Sequence, residues 1–105
     1  MRYILNTAVI GRPGHYEYKL LTELEAEAWL RQGRFVSRVG YREAAQLIQD
    51  RFDVRCPLSR EPIVMQPGDE ALVVRLMHRL PDPGATGHVD PRDDGWEIGL
   101  LKRTA

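Results

Sequence analysis

The chain is short of cysteine, of lysine and of any excess charge, and each shortage closes off a class of explanation. A single cysteine, Cys56, in 105 residues forbids an internal disulfide and any cysteine cluster for zinc. His15 and His88 have no ligand-spaced neighbours, so neither a metal nor another cofactor is expected. Fifteen basic residues balance fifteen acidic ones. Without a net cationic field, long nucleic acid is not an expected partner, and any nucleotide ligand has to be small and held by a few arginines. The apolar stretch at residues 1–10 is too short for a signal peptide or a membrane span, so no membrane partner is expected. The expectation is a soluble, cytoplasmic protein. Of the fifteen cations only Lys19 and Lys102 are lysine. A bias to arginine suits bidentate phosphate contacts, and it equally follows from a GC-rich genome.

What the chain does contain is the ordinary makeup of a globular protein, 43% hydrophobic and 29% charged. Its length fits one domain spanning 1–105. Tyr3 to Ile10 is rich in β-formers and reads as a first strand, closed by Gly11 to Gly14. His15 to Leu21 alternates as a second extended piece. Thr22-Glu23-Leu24-Glu25 has the capping-box pattern, and the helix it opens runs to Gln32 and stops at Gly33. Leu24, Ala28 and Trp29 form its expected buried stripe. Arg34 to Val39 reads as a short strand and Gly40 as a turn into a second helix from about Tyr41 to Phe52. In that helix Ala44, Ala45, Leu47, Ile48 and Phe52 recur at three- and four-residue spacing, which places one face on a sheet. A short strand at Pro62 to Met65, a turn at Pro67-Gly68-Asp69, a long strand from Glu70 to Arg79 and a closing strand from Trp96 to Arg103 complete the list. The residues from Asp82 to Gly95 are rich in Pro, Gly and Asp and read as a loop. The sum is an α/β sandwich, a mixed sheet of about five strands with two main helices.

The strongest single signal for chemistry is the long strand, which delivers His78, Arg79 and Asp82 to its exposed end. A cation, an imidazole and a carboxylate on a rigid support can form an anion-handling site. Trp29 and Trp96 read as core or dimer anchors, and Cys56 as a structural thiol.

Several ordered blocks carry more than pattern. They are Leu5-Asn6-Thr7-Ala8, the run from Phe35 to Tyr41, Leu58-Ser59-Arg60, the run from Pro67 to Val73, Arg79-Leu80-Pro81-Asp82 and the tail from Trp96 to Leu101. Together they resemble the viral ring nucleases that act as type III anti-CRISPR proteins, with their CRISPR-associated and mobile-element relatives. The resemblance implies a symmetric homodimer that binds cyclic tetra-adenylate, a cyclic oligoadenylate second messenger, in a cleft on the two-fold axis and cleaves it without metal. The ribose 2′-hydroxyl is then the nucleophile, and the protein aligns it, neutralises phosphate charge and protonates the leaving oxygen. On this resemblance Asn6, Arg60 and Arg79 are ligand-binding positions. Asp82 stands where the family has an acidic residue, and Tyr41 where it has the histidine that serves as general acid.

The exchange of histidine for Tyr41 matters chemically. An ordinary phenol has a pKa of about 10, against about 6.5 for imidazole. Loss of a general acid typically costs about 10²–10⁴-fold in rate. Three readings follow from the sequence: a slow ring nuclease, a non-catalytic sponge or sensor of a cyclic oligonucleotide, and a structural or interaction protein of this fold with no nucleotide ligand. Arg60 and Arg79 favour the first two, and Tyr41 favours the last two.

Overall fold

The computed structural model describes residues 1–76 and 96–105. The expected 82–95 loop, His78, His88, Arg79 and Asp82 lie outside the described residues. Five strands form one mixed sheet: β1 (Arg2–Leu5), β2 (Tyr16–Leu20), β3 (Val36–Ser37), β4 (Glu70–Leu76) and β5 (Trp96–Arg103), in the spatial order β2-β5-β4-β1-β3. β1 pairs in parallel with β3 on one side and with β4 on the other. β5 runs antiparallel to β4 and to β2. Helices α1 (Glu23–Arg31) and α2 (Arg42–Phe52) complete the fold. An α/β fold with five strands and two helices is what the hydrophobic patterning predicts.

Alternation along the strands divides the interior in two. Ile4, Leu72, Val74, Ile98 and Leu100 join Ala26, Trp29 and Leu30 of α1 and Ala44, Ala45, Ile48 and Phe52 of α2 in the larger core. On the opposite face Leu5, Ala71, Val73 and Leu101 are covered by Met65 and Ile63, with Tyr3 and Tyr16 packed alongside. α1 begins with the capping box expected of Thr22: its hydroxyl accepts from the Glu25 N–H at 3.1 Å, and the Glu25 carboxylate accepts from the Thr22 N–H at 3.0 Å. The hydrogen bond from the Thr22 N–H lowers the Glu25 carboxyl pKa below its ordinary value.

Four expectations need correction. The first strand ends at Leu5 rather than Ile10, because the chain bends at Asn6, whose side chain is committed to Gly40. Residues 62–65 form no strand: Pro62 has no N–H to give, and Met65 and Ile63 serve as cover for the second core instead. The segment expected as a strand from Arg34 to Val39 is regular only at Val36–Ser37, with one further parallel bridge from Val39 to Leu58. In α1 the buried residues are Ala26, Trp29 and Leu30, while Leu24, at 79%, and Ala28 are exposed. Leu24 lies two residues from Ala26, about 200° around the helix, so both cannot face the sheet.

Trp29 decides which side of α1 turns inward. Its indole Nε1 donates to the Glu70 carboxylate at 2.9 Å, its ring stacks with Phe35 at 6.4 Å between centroids, and the Arg2 guanidinium sits 3.8 Å above it. Leu24 offers none of these contacts. Replacing Trp29 by Ala should lower the unfolding free energy by about 3–5 kcal/mol. Trp29→Phe keeps the apolar body and removes one donor from the Glu70 carboxylate, which retains Lys102 at 3.5 Å, so its cost should be smaller, on the order of 0.5–1.5 kcal/mol. Urea unfolding followed by circular dichroism measures both, and an unchanged midpoint for Trp29→Ala would remove this account of α1.

Candidate functional site

Three parallel strands end at one edge of the sheet. β1 leads there into Asn6, β3 leads through Val39 into Gly40, and β4 continues past Val73, the partner of Leu5, toward the same edge. In open α/β sheets this carboxyl edge is where ligands are bound, because the loops that leave it diverge and open a crevice.

Gly40 is the hub of that edge. Its N–H donates to Asn6 Oδ1 at 3.2 Å, and its carbonyl accepts from Arg60 Nε at 3.2 Å. Two of the residues singled out in the sequence therefore meet on a residue that was not. A Cβ on Gly40 would stand 3.2 Å from Arg60 Cγ and 3.5 Å from the Ser59 carbonyl, so the close seat of Arg60 depends on the missing side chain. The signal for Gly40 was in the sequence, as the turn into the second helix within one block of the resemblance.

Around this hub lies an open cleft of about 320 Å³. Asn6, Arg38, Gly40, Ser59, Arg60 and Glu61 supply its polar wall, and Leu5, Val9, Pro62 and Ile63 its apolar one. Only Oδ1 of Asn6 and Nε of Arg60 are used by Gly40, which leaves an amide NH₂ and most of a guanidinium fork to donate. Arg38 is the second cation, held by the Ser37 carbonyl at 3.0 Å and by Glu61 at 3.3 Å. The arrangement offers several donors and two cations to an anion. Among the described residues no group of His, Cys, Asp and Glu is placed to hold a metal ion.

Tyr41 follows Gly40 directly but does a different job from the one its sequence position implies. It is the N-cap residue of α2 rather than its first helical residue, with extended backbone and no side-chain capping bond. Its phenol is exposed and donates to the Glu43 carboxylate at 2.9 Å. That hydrogen bond raises the phenol pKa above its ordinary value, with smaller contributions from burial and from the Glu43 charge. A phenol so held is an even weaker acid than a free one. Arg79 and Asp82 lie outside the described residues, so the cleft is defined by Asn6, Arg38, Gly40 and Arg60.

The loop that carries Arg60 is anchored deep in the protein. Ser37 Oγ donates to the Pro57 carbonyl at 2.7 Å, and the Ser59 N–H donates to the Val39 carbonyl at 2.9 Å. Cys56 is buried beside Ser37, with Oγ to Sγ at 3.4 Å. Burial pushes the thiol pKa up, and the Ser37 hydrogen bond offsets part of that rise.

The comparisons agree with this geometry at the level of fold and family. The STIV B116-like family matches residues 2–91. Uncharacterized protein 26 of Sulfolobus islandicus filamentous virus (isolate Iceland/Hveragerdi) is 37% identical over 107 residues, covering 97% of this chain and 91% of that protein. Uncharacterized protein YddF of Bacillus subtilis (strain 168) is 29% identical over 101 residues, covering 94% of each. Among solved structures, B116 of Sulfolobus turreted icosahedral virus (STIV) superposes with a TM-score of 0.72 at 18% identity, covering 97% of this chain and 98% of the other. At that identity the superposition speaks for the fold alone.

The anchoring of the Arg60 loop has a measurable consequence. A raised thiol pKa means that the native protein keeps Cys56 protonated to higher pH than the unfolded chain does. Its contribution to stability is intact below the unfolded pKa and is lost as pH rises through the folded one. At about pH 8.5, near the ordinary thiol pKa, iodoacetamide should label Cys56 readily in urea and hardly at all in the native protein, as read by mass spectrometry. Fast native labelling would show that the segment is not anchored.

Proposed function

The chain belongs to the STIV B116-like family, and on that footing we propose that it binds a cyclic oligoadenylate second messenger, cyclic tetra-adenylate, without cleaving it efficiently. The observation that carries this reading is the convergence of Asn6 and Arg60 on Gly40. Two side chains from distant parts of the sequence are set at the carboxyl edge of a parallel sheet with their remaining donors over one cleft. Arginine suits a phosphodiester because its planar fork matches two oxygens of one phosphate. The amide of Asn6 suits an adenine edge or a ribose hydroxyl, since it can donate and accept. The resemblance to ring nucleases supports the same ligand, with Arg79 as a further phosphate contact. A symmetric ring is best met by a symmetric homodimer, each copy contributing one cleft. A messenger of this kind acts in the cytoplasm, and its removal would blunt type III CRISPR signalling.

The chemistry of Tyr41 argues for binding over cutting. In-line attack by a ribose 2′-hydroxyl expels a ribose oxygen that has to be protonated. A phenol whose pKa lies above its ordinary value and whose proton is already given to Glu43 is poorly suited to that task. Asp82 is left as an orienting carboxylate for an arginine or the 2′-hydroxyl. A specific observation also favours the rival in which no nucleotide is bound. Asn6 and Arg60 already hold the main chain of Gly40, a sufficient structural reason for their presence.

Incubation with radiolabelled cyclic tetra-adenylate in the absence of metal, read by gel shift and by product chromatography, separates the alternatives. The expected result is a shifted complex with little linear di-adenylate, and a complex weakened about tenfold or more by Arg60→Ala, the loss of one charge-assisted contact. Tyr41→His should raise product formation, with an inflection near the ordinary imidazole pKa of about 6.5. Product formed by the unaltered protein as fast as by Tyr41→His would overturn the non-catalytic reading. If no complex forms, while Arg60→Ala still lowers stability, the structural reading stands in its place.

A further inference from the structure

A second groove lies next to the Gly40 cleft and differs from it in charge. It has a volume of about 560 Å³ and is bounded by β3 and the residue leading into it on one side and by the 55–59 loop on the other. Its polar lining is Arg34, Arg38, Arg55 and two serines, Ser37 and Ser59, and its apolar lining is Phe35, Val36 and Pro57. Among the described residues three guanidinium-bearing ones line it and no carboxylate does. In a chain whose charges sum to zero, such a concentration of one sign is a local feature. We propose that this groove is a separate binding site for a small diphosphate-class anion, held between Arg34 and Arg55.

The pairing of the charges carries the argument. Arg31, Arg51 and Arg75 each face a carboxylate, from Glu27, Glu23 and Glu97 respectively. Arg38 is shared, reaching Glu61 from the wall between the two cavities. Arg34 and Arg55 are exposed, and among the described residues neither side chain has a carboxylate partner. They belong to the two chain segments that line the groove, so an anion bound in it is open to contact from both and relieves their mutual repulsion. Two forks facing one space match two linked phosphate groups better than one.

Both walls are rigid. Arg34 follows α1 at the entry to β3, which is hydrogen-bonded along β1, and its own carbonyl accepts from Arg2 Nη1 at 3.4 Å. Arg55 directly precedes Cys56, which is buried and whose N–H donates to the Gln49 side chain at 3.1 Å. The Ser37 to Pro57 and Ser59 to Val39 hydrogen bonds tie one wall to the other. The main-chain positions from which the two arginines extend are therefore set before a ligand arrives, which reduces the ordering cost of binding. The volume lies within the range of about 300–1,000 Å³ typical of small-molecule sites, and the Phe35, Val36 and Pro57 surface lowers the dielectric around the charges.

Titration calorimetry of the full chain with inorganic pyrophosphate tests the site. Saturable binding is expected, weakening as salt is raised and falling about tenfold or more in Arg34→Ala and in Arg55→Ala, each of which removes one charge-assisted fork. Arg34→Lys should retain the charge yet bind more weakly than the unaltered protein, because an ammonium lacks the bidentate geometry. Arg12→Ala, at an exposed arginine outside the groove, should leave the affinity unchanged. Because both substituted residues are exposed, circular dichroism should show an intact fold. Absence of pyrophosphate binding, binding indifferent to both Ala variants, or an equal response to sulfate at matched ionic strength would each overturn the proposal.

Discussion

Parallel pairing of β1 on both of its edges is the constraint on which the rest of the molecule depends. A parallel neighbour cannot be reached by a tight turn, because the chain has to return to the starting end of the sheet before it can pair. The chain meets this demand twice, with β2 and α1 between β1 and β3, and with α2 between β3 and β4. Both helices contribute to one core with Ile4, Leu72 and Val74, and the opposite face is left to be sealed by Ile63, Met65 and tyrosines. The same pairing brings the ends of β1, β3 and β4 to one edge. The site is thus a consequence of topology before it is a matter of particular side chains.

At that edge a glycine organises the chemistry. Gly40 has both of its main-chain polar groups taken by side chains, Asn6 on the N–H and Arg60 on the carbonyl. Each of those side chains spends one polar atom on structure and has others beyond that bond. This double duty explains why a purely structural reading of Asn6 and Arg60 and a ligand-binding reading rest on the same geometry. It also means that the cleft is formed without a ligand, since its walls are fixed by hydrogen bonds already made.

Electrostatics then sorts the cavities by what each can do. In the Gly40 cleft Glu61 tempers Arg38, giving a mixed surface suited to a ligand with sugar, base and phosphate. In the adjacent groove Arg34 and Arg55 have no carboxylate partner among the described residues, which suits dense negative charge. Tyr41 stands beside the first of these with its proton engaged by Glu43. Position in the fold and fitness for proton transfer are therefore separate properties, and Tyr41 has the first without the second.

The sequence by itself determined the elements whose residues interact with near neighbours. The capping box from Thr22 to Glu25, the buried face of α2, the turn at Pro67-Gly68, where Gly68 has φ 94° and Asp69 N–H donates to the Gln66 carbonyl, and the closing strand from Trp96 to Arg103 were legible, because capping, helical period and turn geometry are local. The tertiary structure decided what depends on contacts between distant segments. It ended β1 at Leu5, turned Leu24 of α1 outward and Trp29 inward, left residues 62–65 as a cover rather than a strand, and put Asp53 in the left-handed region at the end of α2 with φ 54°. It also brought Asn6 and Arg60 together on Gly40 and put Arg34 and Arg55 along one groove. No local pattern encodes those meetings, since each joins residues far apart in the chain through a sheet order that only the packed structure selects.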